Sequence, residues 1–439
     1  MAGKTLARDH QFQNIPNTPY WWQSRETVRP EDAASVDGSY DVAVIGSGYT
    51  GLSAAYRLAS GGLSVLVIDA EDLGFGASTR NGGMVSGTLK LSHKELCAAY
   101  DRDTANALFQ EAQDSVLFLE RSIAEKGIAC DYQRMGMYFA AYAPKHYDAL
   151  AHEAEELAAL GVETQMVPQG AQRGELASDI YYGGRTTVMA GGLHPAKYHA
   201  GLVAACRAAG VEFRSRCRVQ RTARQGGGYV LSTDRGSVRA DQVIVATNAY
   251  TDPGMPWFRR RVIPIGSYII ATEQMDPMDL RALIPAARMI QDTKRNLFYY
   301  RLSPDGTRMI FGGRTSFRPI SSDESAARLH AAMSTVFPSL GKARVEHSWT
   351  GNVAFTFQKL PHVGQHEGIH FALGCCGQGV ALMSYFGDCI GGRILGRGAE
   401  TAFARTRFTT MPGYAGHPWF LPVVGEFYRL LDWLERPKS

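Results

Sequence analysis

Three glycines and one aspartate form the most specific chemical pattern in this chain. Gly46, Gly48 and Gly51 follow the apolar run VAVI, and Asp69 ends the next apolar run, VLVID. Such glycines permit a tight turn, close approach of the backbone to a pyrophosphate, and close helix-to-strand packing. The phosphates would lie at the positive end of the helix that follows, and Asp69 would accept hydrogen bonds from the adenosine ribose. The pattern predicts a dinucleotide-binding βαβ unit over residues 40–70.

Three further segments favour FAD over NAD, although both cofactors use this fingerprint. GASTRNGGM (76–84) is a small-residue loop suited to lie against a flat cofactor. VIVATNAY (243–250) is typical of a strand that returns to the nucleotide fold, and residues 374–379 form a strand–glycine–helix junction. A helix N-terminus there would stabilise the negative charge that a flavin acquires on reduction. An NAD-dependent dehydrogenase and a non-catalytic flavin-binding protein remain as alternatives.

Candidate catalytic residues lie in later strand-like segments. Tyr299, Tyr300 and Arg301 belong to NLFYYRL, and Arg314 follows the sequence FGG. In a strand, Tyr299 and Arg301 share one face and Tyr300 takes the other, so only one set can face a substrate. Arginine offers a two-pronged fork to a carboxylate, while tyrosine supplies a hydrogen bond or an aromatic wall. Four secondary candidates are His194, His362, Lys294 and Lys359.

The elements that must position these residues interleave along the chain. We expect an α/β fold with a Rossmann-like FAD-binding domain and a second, mostly antiparallel β-sheet domain for the substrate. The N-terminal arm would cover 1–37 and the C-terminal tail and helix 411–439. The FAD-binding domain would comprise 38–100, 190–260 and 345–410, and the substrate domain 101–189 and 261–344.

Composition restricts the class of protein. The 439 residues suffice for two or three domains, and 45% hydrophobic with 20% charged residues is typical of a globular protein. A net charge of +4, without clustered Lys and Arg, argues against a nucleic-acid partner. The seven cysteines form no CxxC pair and no zinc spacing, so no metal site is expected.

Two observations bear on membranes and location. The N-terminus lacks the apolar region of a secretory signal and no apolar stretch is long enough to span a bilayer, so we expect a cytoplasmic protein. Residues 422–435 form an amphipathic helix with Val423, Val424, Phe427, Leu430, Leu431 and Leu434 on one face. Docking of that face onto the chain itself or a second subunit is favoured over peripheral membrane contact, because the polar face is not basic. The oligomeric state stays open.

Several motifs together resemble the FAD-dependent D-amino-acid-oxidase-like (DAO) superfamily, closest to gamma-glutamylputrescine oxidoreductase-like enzymes. They are GSGYTGLSAAYRLA, GASTRNGG, GGLHPAKY, ATNAY, MIFGGR, PHVG and CCGQGVALMSYFG. The resemblance extends from about Pro19 to Trp419 and implies an FAD fold of the glutathione-reductase type. It also implies the FAD-binding residues, which are Gly46, Gly48, Tyr49, Thr50, Gly51, Asp69, Ser78, Arg80, Asn81, Gly82, Val219, Gly377, Gln378, Gly379 and Val380.

The resemblance further implies the reaction. A hydride would pass from the carbon beside nitrogen of an amine or amino acid to flavin N5, and water would hydrolyse the imine. Gamma-glutamylated polyamines, N-methyl amino acids and imino acids are all compatible substrates, with O₂ or another molecule as electron acceptor. The segment TGNVAFTFQKLPHVG contains no cysteine, whereas related covalent flavoproteins have one there, so we expect non-covalent FAD.

Overall fold

The computed structural model describes residues 12–24, 35–398 and 400–435. The parts of the predicted arm and tail at 1–11, 25–34 and 436–439 lie outside the described residues. In chain order the strands are β1 (Ser39–Ile45), β2 (Val65–Ile68), β3 (Met84–Ser86), β4 (Met137–Ala140), β5 (Thr164–Val167), β6 (Gly184–Thr187), β7 (Ala190–Gly192), β8 (Glu212–Arg214), β9 (Val219–Gln225), β10 (Gly228–Thr233), β11 (Gly236–Val245), β12 (Ile263–Thr272), β13 (Met289–Asp292), β14 (Phe298–Leu302), β15 (Met309–Gly313), β16 (Val345–Phe355), β17 (His362–His366) and β18 (Ile369–Leu373).

The α-helices complete the framework. They are α1 (Tyr49–Ser60), α2 (His93–Ala99), α3 (Arg102–Glu125), α4 (Pro144–Ala159), α5 (Pro195–Ala208), α6 (Pro256–Arg259), α7 (Pro277–Leu283), α8 (Ser322–Val336), α9 (Gly379–Ile394) and α10 (Leu421–Leu434).

The first large sheet carries the glycine-rich turn. Its strand order is β17-β18-β11-β1-β2-β8, and β10 and β9 extend from β11. β1 is parallel to both β2 and β11, so the carboxyl ends of these strands meet at one edge. Ligands of open parallel sheets bind outside that edge. The buried VAVI and VLVI runs therefore place the glycines and Asp69 together.

The second large sheet has the order β16-β12-β15-β14-β13-β4-β6-β5. Neighbouring strands are antiparallel except for β4 and β13, which are parallel. Together, the two sheets confirm the predicted fold class, an α/β protein with a parallel nucleotide-type sheet and a mostly antiparallel second sheet.

Two elements lie elsewhere than the predicted domain boundaries placed them. α3 belongs to the segment 101–189 that we assigned to the substrate domain, but its buried side chains share a core with β1 and α1. The helix also packs against α9. Conversely, β16 falls in the predicted FAD-binding segment 345–410, yet it pairs along its length with β12 of the second sheet. Long-range packing moves these two boundaries, and the rest of the domain division stays a prediction.

The C-terminal helix α10 contacts the rest of the chain through a face beside the predicted apolar face, and of that apolar face only Val424 and Leu431 are half-buried. The Asp432 carboxylate accepts hydrogen bonds from the backbone N–H groups of Arg295 and Asn296 at 3.1 and 3.0 Å. Glu435 accepts one from the Arg295 guanidinium at 2.9 Å. The predicted docking face is instead largely exposed: 74% for Val423, 56% for Phe427, 52% for Leu430 and 61% for Leu434. These polar contacts and the buried Leu421 and Gly425 hold α10 on its own chain, and docking of the exposed face onto a second subunit stays a prediction.

Peripheral membrane contact through this exposed face stays a prediction. Among the described residues, no helix combines the length and apolar composition needed to cross a bilayer.

We predict that the Glu435 carboxylate holds α10 in a pH-dependent manner. The hydrogen bond from Arg295 lowers the pKa of Glu435 to about 2, whereas an unfolded glutamate titrates near about 4.3. A lowered folded-state pKa stabilises docking above about pH 4.3, and this contribution is lost as the pH falls towards 2. In Glu435→Gln, hydrogen exchange of α10 amides should be faster than in the wild type at pH 6, and the difference should shrink below pH 4.

The matched control is Glu426→Gln, because Glu426 pairs with Arg429 within the same helix. Equal exchange protection in Glu435→Gln and the wild type at pH 6 would contradict this account.

Candidate active site

A cavity of about 490 Å³ is lined by residues of both large sheets. Of the fifteen predicted FAD-binding residues, all except Gly51 line its walls. A Cβ at Gly51 would lie 2.0 Å from the Gly46 carbonyl oxygen, so this glycine lets the first turn of α1 pack against β1. The structure therefore brings the fourteen others together around a single space.

The turn after β1 suits a pyrophosphate. Gly46 has a φ of +106°, and a Cβ there would lie 2.9 Å from the Ala246 carbonyl oxygen. Gly48 caps α1 without a side chain, which leaves the helix N-terminus open to an anion. Asp69 fixes this turn, since its Oδ2 accepts hydrogen bonds from the Ser47 N–H at 2.8 Å and the Ser47 hydroxyl at 2.6 Å.

Burial raises the pKa of Asp69, and the hydrogen bonds from Ser47 and Glu71 oppose that rise. The observed role of Asp69 is to fix the turn through Ser47. Its contact with a ribose stays a prediction. Val219, the first residue of β9, also lines the cavity, and its contact with FAD stays a prediction.

Residues 76–84, which we call the Asn81 loop, are held from several sides. The Trp21 indole N–H donates to the Asn81 carbonyl at 2.9 Å, and the Trp349 indole N–H donates to the Arg80 carbonyl at 2.8 Å. Trp22 donates to the Thr79 hydroxyl at 2.7 Å. Trp21 and Trp22 lie in a 3-10 helix at Tyr20–Ser24, so the described part of the predicted arm is pinned by its rings. The second sheet and the arm together fix this loop.

Side chains within the Asn81 loop complete its geometry. Asn81 Oδ1 accepts from the Gly83 N–H at 2.8 Å, and the Ser78 hydroxyl accepts from the Tyr49 N–H at 3.2 Å. Arg80 donates to the Phe75 carbonyl at 2.7 Å and to the Thr350 carbonyl at 3.2 Å. Its guanidinium lies 4.6 Å from each of the Trp22 and Phe75 rings. Arg80 therefore links the loop to β16.

The N-terminus of α9 forms another wall of the cavity. Gln378 caps the helix without a side-chain hydrogen bond to the helix backbone, because its Oε1 accepts instead from the Ser86 hydroxyl at 2.8 Å. Gly377, Gly379 and Val380 border the same space. A 16-residue helix directs partial positive charge at the cavity from this end. The two helix ends and the small-residue loop fit FAD, and the residues of the α1 turn, the Asn81 loop and the α9 N-terminus would hold it.

Tyr299 and Arg314 line the cavity, and their roles toward a substrate stay predictions. The Tyr299 hydroxyl shares a hydrogen bond with the Ser267 hydroxyl at 2.8 Å. Burial raises the pKa of Tyr299 to about 12, against the opposing effects of Ser267 and Arg314. Arg314 is half-buried over the Phe355 ring at 5.1 Å, and its buried Nε has no hydrogen-bond partner among the described residues. These two side chains can therefore receive a ligand.

Tyr300 and Arg301 do not line the cavity, and the expectation that they contact substrate is corrected. Tyr300 faces the other side of the sheet, where its ring stacks on Phe311 at 5.0 Å and its hydroxyl bonds to Tyr181. Arg301 shares the face of Tyr299 but is only 2% exposed. Its Nη1 donates to the carbonyl oxygens of Gly83 and Leu193 at 2.8 and 3.0 Å. Arg301 therefore stabilises the backbone of the Asn81 loop from a position outside the cavity walls.

The four secondary candidates also lie outside the cavity walls. His194 caps α5 by accepting from the Lys197 N–H at 3.2 Å, and burial lowers the pKa of His194 to about 4. Lys294 pairs with the buried Asp292 at 2.9 Å. In the described residues, no cluster of three or more His, Cys, Asp or Glu side chains is placed to hold a metal ion.

Sequence reasoning missed several polar residues of the cavity, which are Lys90, Glu153, Arg185, Ser267 and Gln291. They come from five different elements or loops and belong to no local motif. The alternation of side chains along a strand indicates which residues share a face, but it does not reveal which strands become neighbours.

Comparison with known proteins gives a family and several relatives. A family model described as FAD dependent oxidoreductase, DAO, matches residues 41–393. The chain is 32% identical to the probable oxidoreductase OrdL of Haemophilus influenzae, over 81% of this chain and 83% of that relative. It is 31% identical to the gamma-glutamylputrescine oxidoreductase of Escherichia coli, over 90% of this chain and 93% of that relative.

Solved structures agree in fold. Glycine oxidase from Geobacillus kaustophilus superposes with a TM-score of 0.73 at 21% identity, covering 85% of this chain and 99% of that chain. L-proline dehydrogenase from P. horikoshii superposes with a TM-score of 0.70 at 17% identity, covering 88% and 98%.

The position of Arg301 predicts that it stabilises the protein without binding substrate. Arg301→Lys cannot reproduce the guanidinium hydrogen bonds to the carbonyl oxygens of Gly83, Leu193 and Leu302. We expect a loss of about 1–3 kcal/mol of unfolding free energy from buried acceptors left without partners. Thermal unfolding of the FAD-loaded variant measures this loss of stability. Arg281→Lys is the control, because Arg281 is exposed.

In Arg301→Lys, the apparent dissociation constant of an amine that reduces the bound flavin should stay within about twofold of the wild-type value. If Arg301→Lys is as stable as the wild type but binds the amine much more weakly, Arg301 contacts the substrate and this account is wrong.

Proposed function

Because the chain belongs to the DAO family of FAD-dependent oxidoreductases, we propose that it oxidises the C–N bond of an amine or amino acid that carries a carboxylate. The observation that carries this proposal is the Arg314 guanidinium. It lies in the cavity near Tyr299, with a buried Nε that has no partner among the described residues. The family assignment favours FAD over the NAD alternative.

FAD would be held without a covalent bond. The fourteen predicted contact residues that line the cavity offer backbone amides, two helix N-termini and small side chains. Bound FAD supplies the two-electron acceptor for C–N oxidation. The residues of the chain have to bind the amine, orient its carbon and exclude water.

Arg314 would bind the substrate carboxylate. Its fork of N–H donors matches two carboxylate oxygens, and aromatic contacts with Phe355 and Phe317 restrict its movement. The cavity also contains Lys90, and the positive charge of Arg314 contributes to the lowered pKa of that lysine, behind burial as the main cause. Two cations beside a bound amine disfavour its protonated form. A neutral amine is the form that can lose a hydride.

Tyr299 would form the cavity wall beside the Asn81 loop. A Cβ at Gly82 would lie 3.1 Å from its ring, so the loop and the ring are in close contact. With a pKa of about 12, its phenol stays protonated at neutral pH. Tyr299 can therefore position the amine by a hydrogen bond, while it does not act as a phenolate base.

O₂ and another acceptor are both compatible with the cavity, and the cytoplasmic location stays a prediction. Relatives named for glycine, proline and gamma-glutamylputrescine suggest the first compounds to test.

The test is an anaerobic titration of the FAD-loaded protein with glycine, N-methylglycine, L-proline and gamma-glutamylputrescine. We expect one of them to bleach the flavin absorbance, and acid precipitation to release FAD into the supernatant. Arg314→Lys should then lower kcat/KM for that amine by about 10- to 100-fold, because one fork-type hydrogen bond to a charged group is lost.

Arg318→Lys is the control, since Arg318 is exposed four residues further along the chain. Flavin that no compound bleaches would contradict amine oxidation. Bleaching with an unchanged kcat/KM in Arg314→Lys would remove Arg314 from the substrate site.

A further inference from the structure

A row of residues crosses the second sheet along the cavity. Tyr299 lies opposite Gln291, Gln291 opposite Phe139, and Phe139 opposite Arg185. All four line the cavity. Neighbouring strands are about 4.8 Å apart, so three spacings separate the Arg185 and Tyr299 backbones by about 14 Å. The row leads from Tyr299 to a second polar region of the same cavity, which contains Arg185.

Arg185 at this second end is buried with unused donors. Its side chain is 2% exposed, and Nη2 contacts Glu153 Oε2 at 3.3 Å. The guanidinium carbon lies 5.1 Å from the centre of the Phe139 ring, which holds the group in place. Its Nε and Nη1 are buried and have no hydrogen-bond partner among the described residues. Buried donors of this kind are rare without a ligand or another partner.

Glu153 supplies the opposite charge. It projects from α4 into the cavity, and its side chain is 34% exposed. Burial raises the pKa of Glu153, although the neighbouring Arg185 opposes that rise. A second cation at this carboxylate would therefore be favourable. A fork of donors beside a carboxylate complements a group that carries both a carboxylate and an ammonium.

We propose that Arg185 and Glu153 form a second binding subsite, which takes the zwitterionic amino-acid group at the far end of an elongated amine. This inference rests on the proposed function and narrows its substrate class. The free donors of Arg185 bind the carboxylate, and Glu153 binds the ammonium. Phe139 and Gln291 face the linking chain. Short amines leave the subsite empty and bind less tightly.

Two unreactive probes test the subsite by binding alone. The first is the amide between the γ-carboxyl group of L-glutamate and 4-aminobutyrate, which offers a zwitterion at one end and a carboxylate for Arg314 at the other. The second is N-acetyl-4-aminobutyrate, which keeps the carboxylate end and lacks the zwitterion. Perturbation of the flavin absorbance gives the dissociation constant of each probe. Neither probe has an amine at the end that would face Tyr299, so neither is oxidised there.

We expect the wild type to bind the glutamyl probe at least about tenfold more tightly than the acetyl probe. Arg185→Gln and, separately, Glu153→Gln should remove most of that preference and leave binding of the acetyl probe unchanged. The acetyl probe thus reports whether each variant keeps an intact cavity. The matched control is Arg288→Gln, which breaks an ion pair with Glu175 at 2.7 Å outside the cavity walls.

The outcomes separate this inference from the proposed function. No preference for the glutamyl probe in the wild type, or a preference that survives both substitutions, overturns the subsite. If the preference disappears as expected while no amine in the panel bleaches the flavin, the subsite stands and amine oxidation fails.

Discussion

The fold around the cavity depends on the hydrogen bonds that hold the Asn81 loop between the two sheets. The loop starts beside the parallel sheet and contacts the second sheet through Trp349 and Arg301. Trp21 adds a bond from the N-terminal arm. Backbone carbonyls in this region are buried, and leaving one without a donor costs about 1–3 kcal/mol. The indole and guanidinium groups therefore keep in one position the loop that closes the cofactor space.

The second constraint is the register of the antiparallel sheet. Because directly opposite residues share one face, each register row forms a continuous surface. The row that contains Tyr299 faces the cavity, and the next position, Tyr300, faces the hydrophobic core on the other side. This alternation explains why adjacent tyrosines have different surroundings. The register also places charged side chains from distant segments, Arg185 and Arg314, in the walls of one cavity.

Much of the nucleotide side could be predicted from sequence, because its chemistry is local. Gly46, Gly48 and Asp69 lie within one βαβ unit, and the backbone conformations they need are encoded by residue type. The substrate side could not be predicted as well. Glu153 and Arg185 meet only through strand pairing between distant segments, and Arg301 shares the face of Tyr299 yet turns to backbone carbonyls. The contact of α10 with its own chain could not be predicted for a related reason, since Asp432 accepts from backbone N–H groups of a distant segment that helical periodicity does not reveal.

The most direct test of the central claim is the affinity of the protein for FAD when one bond to the Asn81 loop is removed. Trp349→Phe removes the indole N–H that donates to the Arg80 carbonyl and keeps a smaller aromatic ring, whereas Trp433→Phe makes the same change at an exposed position of α10. Reconstitution of the apoprotein, followed by flavin fluorescence, gives the dissociation constant. We predict an increase of about 5- to 100-fold in Trp349→Phe and no change in Trp433→Phe. Equal FAD affinity in Trp349→Phe and the wild type would contradict the claim that this loop builds the cofactor site.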